Sequence, residues 1–161
     1  MTQNTEYLRT LIMDDGAVKK RSLHIEQERS AALGDLLRDN SFTPLHDNAP
    51  LRKGAYDAHL SIEDNRLRFA LTSDTLTTPH LITIPVSAFR SIIKDYFLIC
   101  ENYFEAIKTA DPYKLEAIDM ARRGVHNEGS EKLQTQLQGK AEIDFNTARR
   151  IFTLMCVLHI K

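Results

Sequence analysis

Residues 56–71 read as two strands that can pair in only one useful way. Tyr56, Ala58, Leu60 and Ile62 alternate with Asp57, His59, Ser61 and Glu63. Past Asp64-Asn65, Leu67, Phe69 and Leu71 alternate with Arg66, Arg68 and Ala70. Successive side chains on a strand face opposite ways, so slipping the pairing by one residue would turn every large apolar group to the solvent. With Asp64-Asn65 as a two-residue hairpin loop, Ile62 falls opposite Leu67, Leu60 opposite Phe69 and Ala58 opposite Leu71. The resulting ribbon has one apolar face, and that face must be covered.

Further elements follow from the same kind of reading. Residues 7–13 fit a short strand closed by the turn signal Asp14-Asp15-Gly16. Ser22 fits a helix N-cap, and Ile25, Ala32, Leu33, Leu36 and Leu37 then recur at helical spacing until Asp39-Asn40. "SFTPLHDNAPLRKG" has two prolines and a terminal glycine and reads as a loop, while "HLITIPVS" reads as one more strand with Ile82, Ile84 and Val86 alternating. From Ser87 the period becomes helical. Phe89, Ile92, Ile93, Tyr96, Phe97, Ile99, Cys100, Tyr103, Phe104 and Ile107 fill one broad arc, opposite Arg90, Lys94, Glu101, Glu105 and Lys108. Burial of each such side chain stabilises by ~1.5–3 kcal/mol, so the stripe is explained as core without a cofactor. Asp95, at the edge of the arc, reads as a buried, hydrogen-bonded carboxylate.

Asp111-Pro112 opens another helix as cap and first-turn proline. A last helix begins near Asp144 and turns apolar on all sides through Ile151, Phe152, Leu154, Met155, Cys156, Val157 and Leu158. A helix without a polar face must be surrounded, either at the centre of the helical half or in a homodimer interface. The central position is the expectation. Strands first and helices afterwards define an α+β domain: a small antiparallel sheet from the N-terminal half, packed against a C-terminal helical bundle, with residues 1–161 as a single domain.

Composition narrows the function. Twenty-one basic residues against 22 acidic ones argue against a general electrostatic hold on nucleic acid or an anionic membrane, though not against a local basic patch. Two cysteines in apolar helical runs read as free buried thiols in a reducing compartment. The N-terminus is polar, and the longest apolar run is about ten residues, against the ~20 of a membrane-spanning helix. A cytoplasmic protein is the expectation. Six histidines lack the short spacings of a ligand pair, and no Gly-rich phosphate loop or nucleophile elbow is present, so no metal or cofactor is called for.

One stretch concentrates polar chemistry: "DMARRGVHNEGS", residues 119–130. In the plain structural account Gly124 stops one helix, Arg122 and Arg123 sit in its last turn, and Asn127 caps the next. A sharper account adds a ligand. The free amides of a helix start at Asn127 and Glu128, together with Arg122, Arg123 and His126, would make an anion site whose occupant is a phosphate or phosphodiester. The phosphate-bearing ligand would be RNA or a nucleotide; otherwise the corner would recognise a protein partner. A third account needs the helix to continue past Gly124, which puts Arg122 and His126 on one face. A histidine can move the 2′-hydroxyl proton of RNA while an arginine stabilises the pentavalent phosphate, without a metal. Arg122 and His126, followed by an all-apolar helix, resemble the Arg…His signature of HEPN-type helical ribonuclease domains. In that signature more residues separate the arginine from the histidine.

Arg149-Arg150 lie early in the last helix, where one is expected to face solvent and the other an acid such as Glu142. Lys19 to Arg21, "KKR", reads as a solvated approach to the first helix.

Three longer motifs point to a family. "KDYFLICENYFEAI" (94–107), "EAIDMARRGVHNEGSEKL" (116–133) and "IDFNTARRIFTLMCVLH" (143–159) strongly resemble the bacterial uncharacterised protein family 0262, and the similarity extends over nearly the whole chain. One departure is Ala121, where the resemblance leads one to expect glycine. It implies a bacterial cytosolic protein and brings no reaction, ligand or catalytic residue with it.

Overall fold

The computed structural model describes residues 6–14, 23–47, 49–51, 54–109 and 111–159. The elements run β1 (Glu6–Met13), α1 (Leu23–Arg38), β2 (Phe42–His46), β3 (Ala49–Pro50), β4 (Gly54–Glu63), β5 (Arg66–Thr72), β6 (His80–Pro85), α2 (Arg90–Thr109), α3 (Pro112–Gln136), β7 (Ala141–Ile143) and α4 (Phe145–Leu158). A short 3₁₀ turn over Val86–Phe89 leads into α2. The architecture is α+β. The expected Ser22 cap, the Asp15-Gly16 turn and the basic run 19–21 lie outside the described residues.

The hairpin has the expected register: Ile62 pairs with Leu67, Leu60 with Phe69 and Ala58 with Leu71. Asp64 and Asn65 carry it with φ of 53° and 58°, the left-handed conformation that a two-residue turn of this twist demands and that short polar side chains tolerate. β6 extends the hairpin antiparallel on the β5 side. On the other side β1 lies against β4 in parallel, so the main sheet, in the order β1-β4-β5-β6, is mixed where an antiparallel one was expected. The reason is topological. The chain leaves β1 through α1 and re-enters the sheet along β4 in the same direction, as crossover connections do.

The side chain of Asn40, 6% exposed, ties these parts together. Its Oδ1 accepts from the Leu8 N–H at 2.7 Å, and its Nδ2 donates to the carbonyls of Leu8 (2.9 Å) and Leu36 (2.8 Å). One carboxamide thus continues the edge of β1 and satisfies a carbonyl at the end of α1.

The presumed loop after Asn40 also holds structure. β2 pairs with β3 on one side and with β7 on the other, forming a second, three-stranded sheet. Phe42 and Leu45 of β2 are buried. Pro44 cannot donate, but its carbonyl accepts from the Leu51 N–H at 2.9 Å. The strands are too short for periodicity to announce them, and prolines mask what remains.

The helices form one packed set: α2 against α3, α3 against α4, and α4 against α1. Asp144 caps α4 through the Thr147 N–H, and residues 151–157 are all at most 4% exposed within this one chain. The apolar helix is therefore central. Of the expected stripe, Phe89 in the 3₁₀ turn and Ile92, Ile93, Tyr96 and Cys100 on α2 are buried, whereas Tyr103 and Phe104 are half-buried and Ile107 is exposed. Asp95 is exposed, not buried.

Candidate functional site

The polar stretch around Arg122 does not contain a helix joint. α3 runs unbroken for 25 residues, from the Asp111 cap, which accepts from Tyr113 and Lys114, past Gly124 to Gln136. Glycine in a helix interior costs about 1 kcal/mol relative to alanine. The cost is met because the same helix buries His126, Gly129, Ser130 and Leu133 one after another along its inner face. The positive-φ glycine that follows a helix end is Gly139.

Continuity sorts the candidate residues by face. Arg122 and His126, four apart, point inward together. Arg123 is exposed and paired with Asp119 one turn back at 2.6 Å. Asn127 and Glu128 are exposed on the outer face, and their backbone amides belong to the helix interior. The free helix-start amides expected there do not exist, so Arg123, Asn127 and Glu128 do not converge with the other two.

What does converge with Arg122 and His126 comes from other helices. A cleft of about 280 Å³ between α1, α3 and α4 is lined by Glu28, Ala31, Ala32, Asp35, Arg122, His126, Asn146, Arg149, Arg150 and Thr153. Three guanidinium groups face two carboxylates there. Glu28 is engaged by Arg122 and Asp35 by Arg38 at 2.9 Å. Among the described residues neither Arg149 nor Arg150 meets a carboxylate. The acidic partner expected from Glu142 is absent because Glu142 lies on β7, before the helix begins. Arg150 donates instead to the Asn146 carbonyl at 3.0 Å, and its Nε is buried without a partner among the described residues. In a chain with a formal charge of −1, this is a local cationic concavity.

His126 lines the cleft and is 3% exposed. Tyr96 and Phe152 stand edge-on to its ring at centroid distances of 5.5 and 6.0 Å. Burial, reinforced by the charges of Arg149 and Arg122, lowers its pKa to about 4, so the ring is neutral at pH 7. The Thr153 hydroxyl donates to the Arg149 carbonyl at 3.2 Å and lies 3.5 Å from Nδ1 of His126. Nε2 is buried without a partner among the described residues.

The close approach that makes this arrangement possible sits at Gly129, where a Cβ would lie 2.4 Å from the ring of Phe152. A glycine in the middle of a helix is a signal sequence reading could have used. Arg149 and Arg150 were visible as a basic pair, but nothing local links them to residue 122.

Arg122 also closes a second cavity of about 240 Å³ between α1 and α2, lined by His24, Gln27, Glu28, Ala31, Cys100, Tyr103, Phe104 and Ile107. The Arg122 guanidinium lies 5.6 Å from the Tyr103 ring centroid, and His24 packs on Phe104 at 3.7 Å. Both cysteines are buried free thiols; burial pushes Cys100 up to about 11 and raises Cys156 as well, so neither is a thiolate at neutral pH. Among the described residues no group of three His, Cys, Asp or Glu side chains is placed to hold a metal ion, and no helix is long and apolar enough to cross a membrane.

Fold and site thus define a small α+β protein with a cationic cleft between three helices. The chain belongs to the uncharacterised protein family UPF0262, whose model matches residues 5–161. It is 47% identical over 150 residues to a UPF0262 protein of Roseobacter denitrificans, covering 92% of this chain and 94% of that one. It is 49% identical over 148 residues to one of Ruegeria pomeroyi, covering 91% and 92%. A relative from Paramagnetospirillum magneticum is 49% identical over 142 residues, 88% of either chain. No solved structure matches the chain.

Proposed function

We propose that this protein is a binding module that takes up a phosphate-bearing ligand in the cleft between α1, α3 and α4, through Arg122, Arg149 and Arg150. The observation that carries the reading is the pair of cleft guanidiniums without a carboxylate partner among the described residues, beside a buried histidine whose Nε2 has no partner among them either. Guanidinium forks match phosphate oxygens in bidentate geometry. Compared with the stretch that first suggested an anion site, Arg122 and His126 stay, and Arg149, Arg150 and Thr153 replace Arg123, Asn127 and Glu128.

Metal-independent cleavage of RNA by Arg122 and His126 asks more of the same residues. The continuous helix supports it, since both side chains share one face. A general base must also reach the 2′-hydroxyl and exchange its proton with solvent, and His126 is buried and held neutral. Binding draws on every feature of the cleft; cleavage draws on one.

The test is thermal melting with inorganic phosphate, comparing the wild type with Arg149→Gln. A ligand that binds only the folded state, at 100 times its dissociation constant, adds ~2.7 kcal/mol, roughly a 5–10 °C rise for a domain of this size. The wild type is expected to show a saturable rise that the folded Arg149→Gln protein lacks. Equal behaviour of the two proteins removes the cleft from consideration.

A further inference from the structure

We infer that the ligand is a nucleoside monophosphate, its base held in the cavity between α1 and α2 and its phosphate in the cationic cleft. This rests on the phosphate site proposed above and adds the occupant of the neighbouring cavity.

The two cavities are neighbours. Glu28, Ala31 and Arg122 line both of them, so the Glu28–Arg122 ion pair is the partition. Each alone, at about 240 and 280 Å³, lies just under the ~300–1,000 Å³ typical of small-molecule sites, and a ligand reaching across the ion pair into both would occupy a volume inside that range. Their chemistries differ across the partition. On one side are guanidiniums and the ring of His126. On the other are Tyr103, Phe104, Ile107 and Cys100, with Ile107 48% exposed. A ligand that fills both is anionic at one end and apolar at the other.

The walls of the second cavity favour a planar group over an alkyl chain. Phe104 already packs on His24 and Tyr103 on the Arg122 guanidinium, so a base would add one more flat group to these contacts, and aromatic side chains stack on nucleobases of any identity. Gln27 at the rim provides a carboxamide whose donor and acceptor match the edge of a base. The partition itself suits what joins a base to a phosphate. A carboxylate accepts from ribose hydroxyls, and Glu28 stands between the two ends. Phosphate arriving at Arg122 competes for the guanidinium that Glu28 holds, which frees the carboxylate for those hydroxyls.

Isothermal titration with inorganic phosphate, ribose 5-phosphate, adenosine and the four common nucleoside 5′-monophosphates tests this. At least one nucleotide is expected to bind tenfold or more tightly than ribose 5-phosphate. Phe104→Leu, which keeps apolar volume but removes the ring, is expected to bring that nucleotide down to the level of ribose 5-phosphate while leaving phosphate binding unchanged. Arg149→Gln should weaken every phosphate-bearing ligand. If phosphate and ribose 5-phosphate bind through Arg149 but no nucleotide binds more tightly, or Phe104→Leu changes nothing, the base site is wrong and the phosphate site stands. If no phosphate-bearing ligand binds, or adenosine binds as well as its monophosphate, the phosphate site fails and this inference with it.

Discussion

Gly129 of α3 faces the ring of Phe152 of α4 so closely that a methyl group there would lie 2.4–2.6 Å from three ring carbons. The contact sets how near the two helices come. One turn before Gly129 is His126, and one residue after Phe152 is Thr153, so the same approach brings the histidine ring against the threonine hydroxyl. Gly129→Ala is therefore expected to lose ~1–3 kcal/mol, the usual cost of overpacking, despite alanine's better helix propensity. Urea unfolding measures it, and Phe152→Leu in the same chain should recover part of the loss. An unchanged midpoint in Gly129→Ala would mean the helices are not in contact there.

Gly124 makes the opposite case. It lies in the same helix, and nothing stands within 4 Å of where its Cβ would be. Gly124→Ala should stabilise by up to ~1 kcal/mol, about 2–4 °C in melting temperature. Were Gly124 a helix stop in the left-handed region, alanine would be strained and the melting point would drop.

Glu28→Gln removes the carboxylate that engages Arg122, leaving three guanidiniums opposite Asp35 alone. Phosphate affinity is expected to rise several-fold, most clearly at low ionic strength. Stability should fall by about 1 kcal/mol, since both partners are only partly exposed. Calorimetry and urea unfolding read the two effects separately. A loss of phosphate affinity would show that Glu28 supports the site instead of opposing it.

Acid should weaken the protein through His126. Its folded pKa, about 4, is below the ~6.5 of the unfolded chain. Between those values the unfolded state binds the extra proton, so stability is complete above pH 6.5, falls as pH is lowered and levels off below about 4. The contribution is on the order of 3 kcal/mol. His126→Phe suits the edge-on packing of Tyr96 and Phe152 and cannot titrate. It leaves Glu28 and Asp35 of α1, Tyr96 of α2, Arg122 of α3, and Arg149 and Arg150 of α4 in place. His24 and His80, whose pKa values burial also lowers, titrate in both proteins. The slope of unfolding free energy against pH should be shallower in the variant. Equal slopes would mean that the ring is not kept neutral by its surroundings.

Where one element contains its own answer, the chain was readable without coordinates. Asp64-Asn65 and the alternation around it specify the register of β4 on β5, because a slip of one residue would expose Leu60 and Phe69. Residues 151–157 carry no polar face and so had to be enclosed. The partner of Arg122 was not readable, nor was the fate of Gly124. The cost of a glycine in a helix is about 1 kcal/mol, too little to decide between a stop and a continuation until His126, Ser130 and Leu133 are seen buried against α4. Glu28 is 94 residues from Arg122, and Arg149 and Arg150 are on another helix again. Periodicity says which way each helix faces, but only packing decides which faces meet, and the cleft exists only where they do.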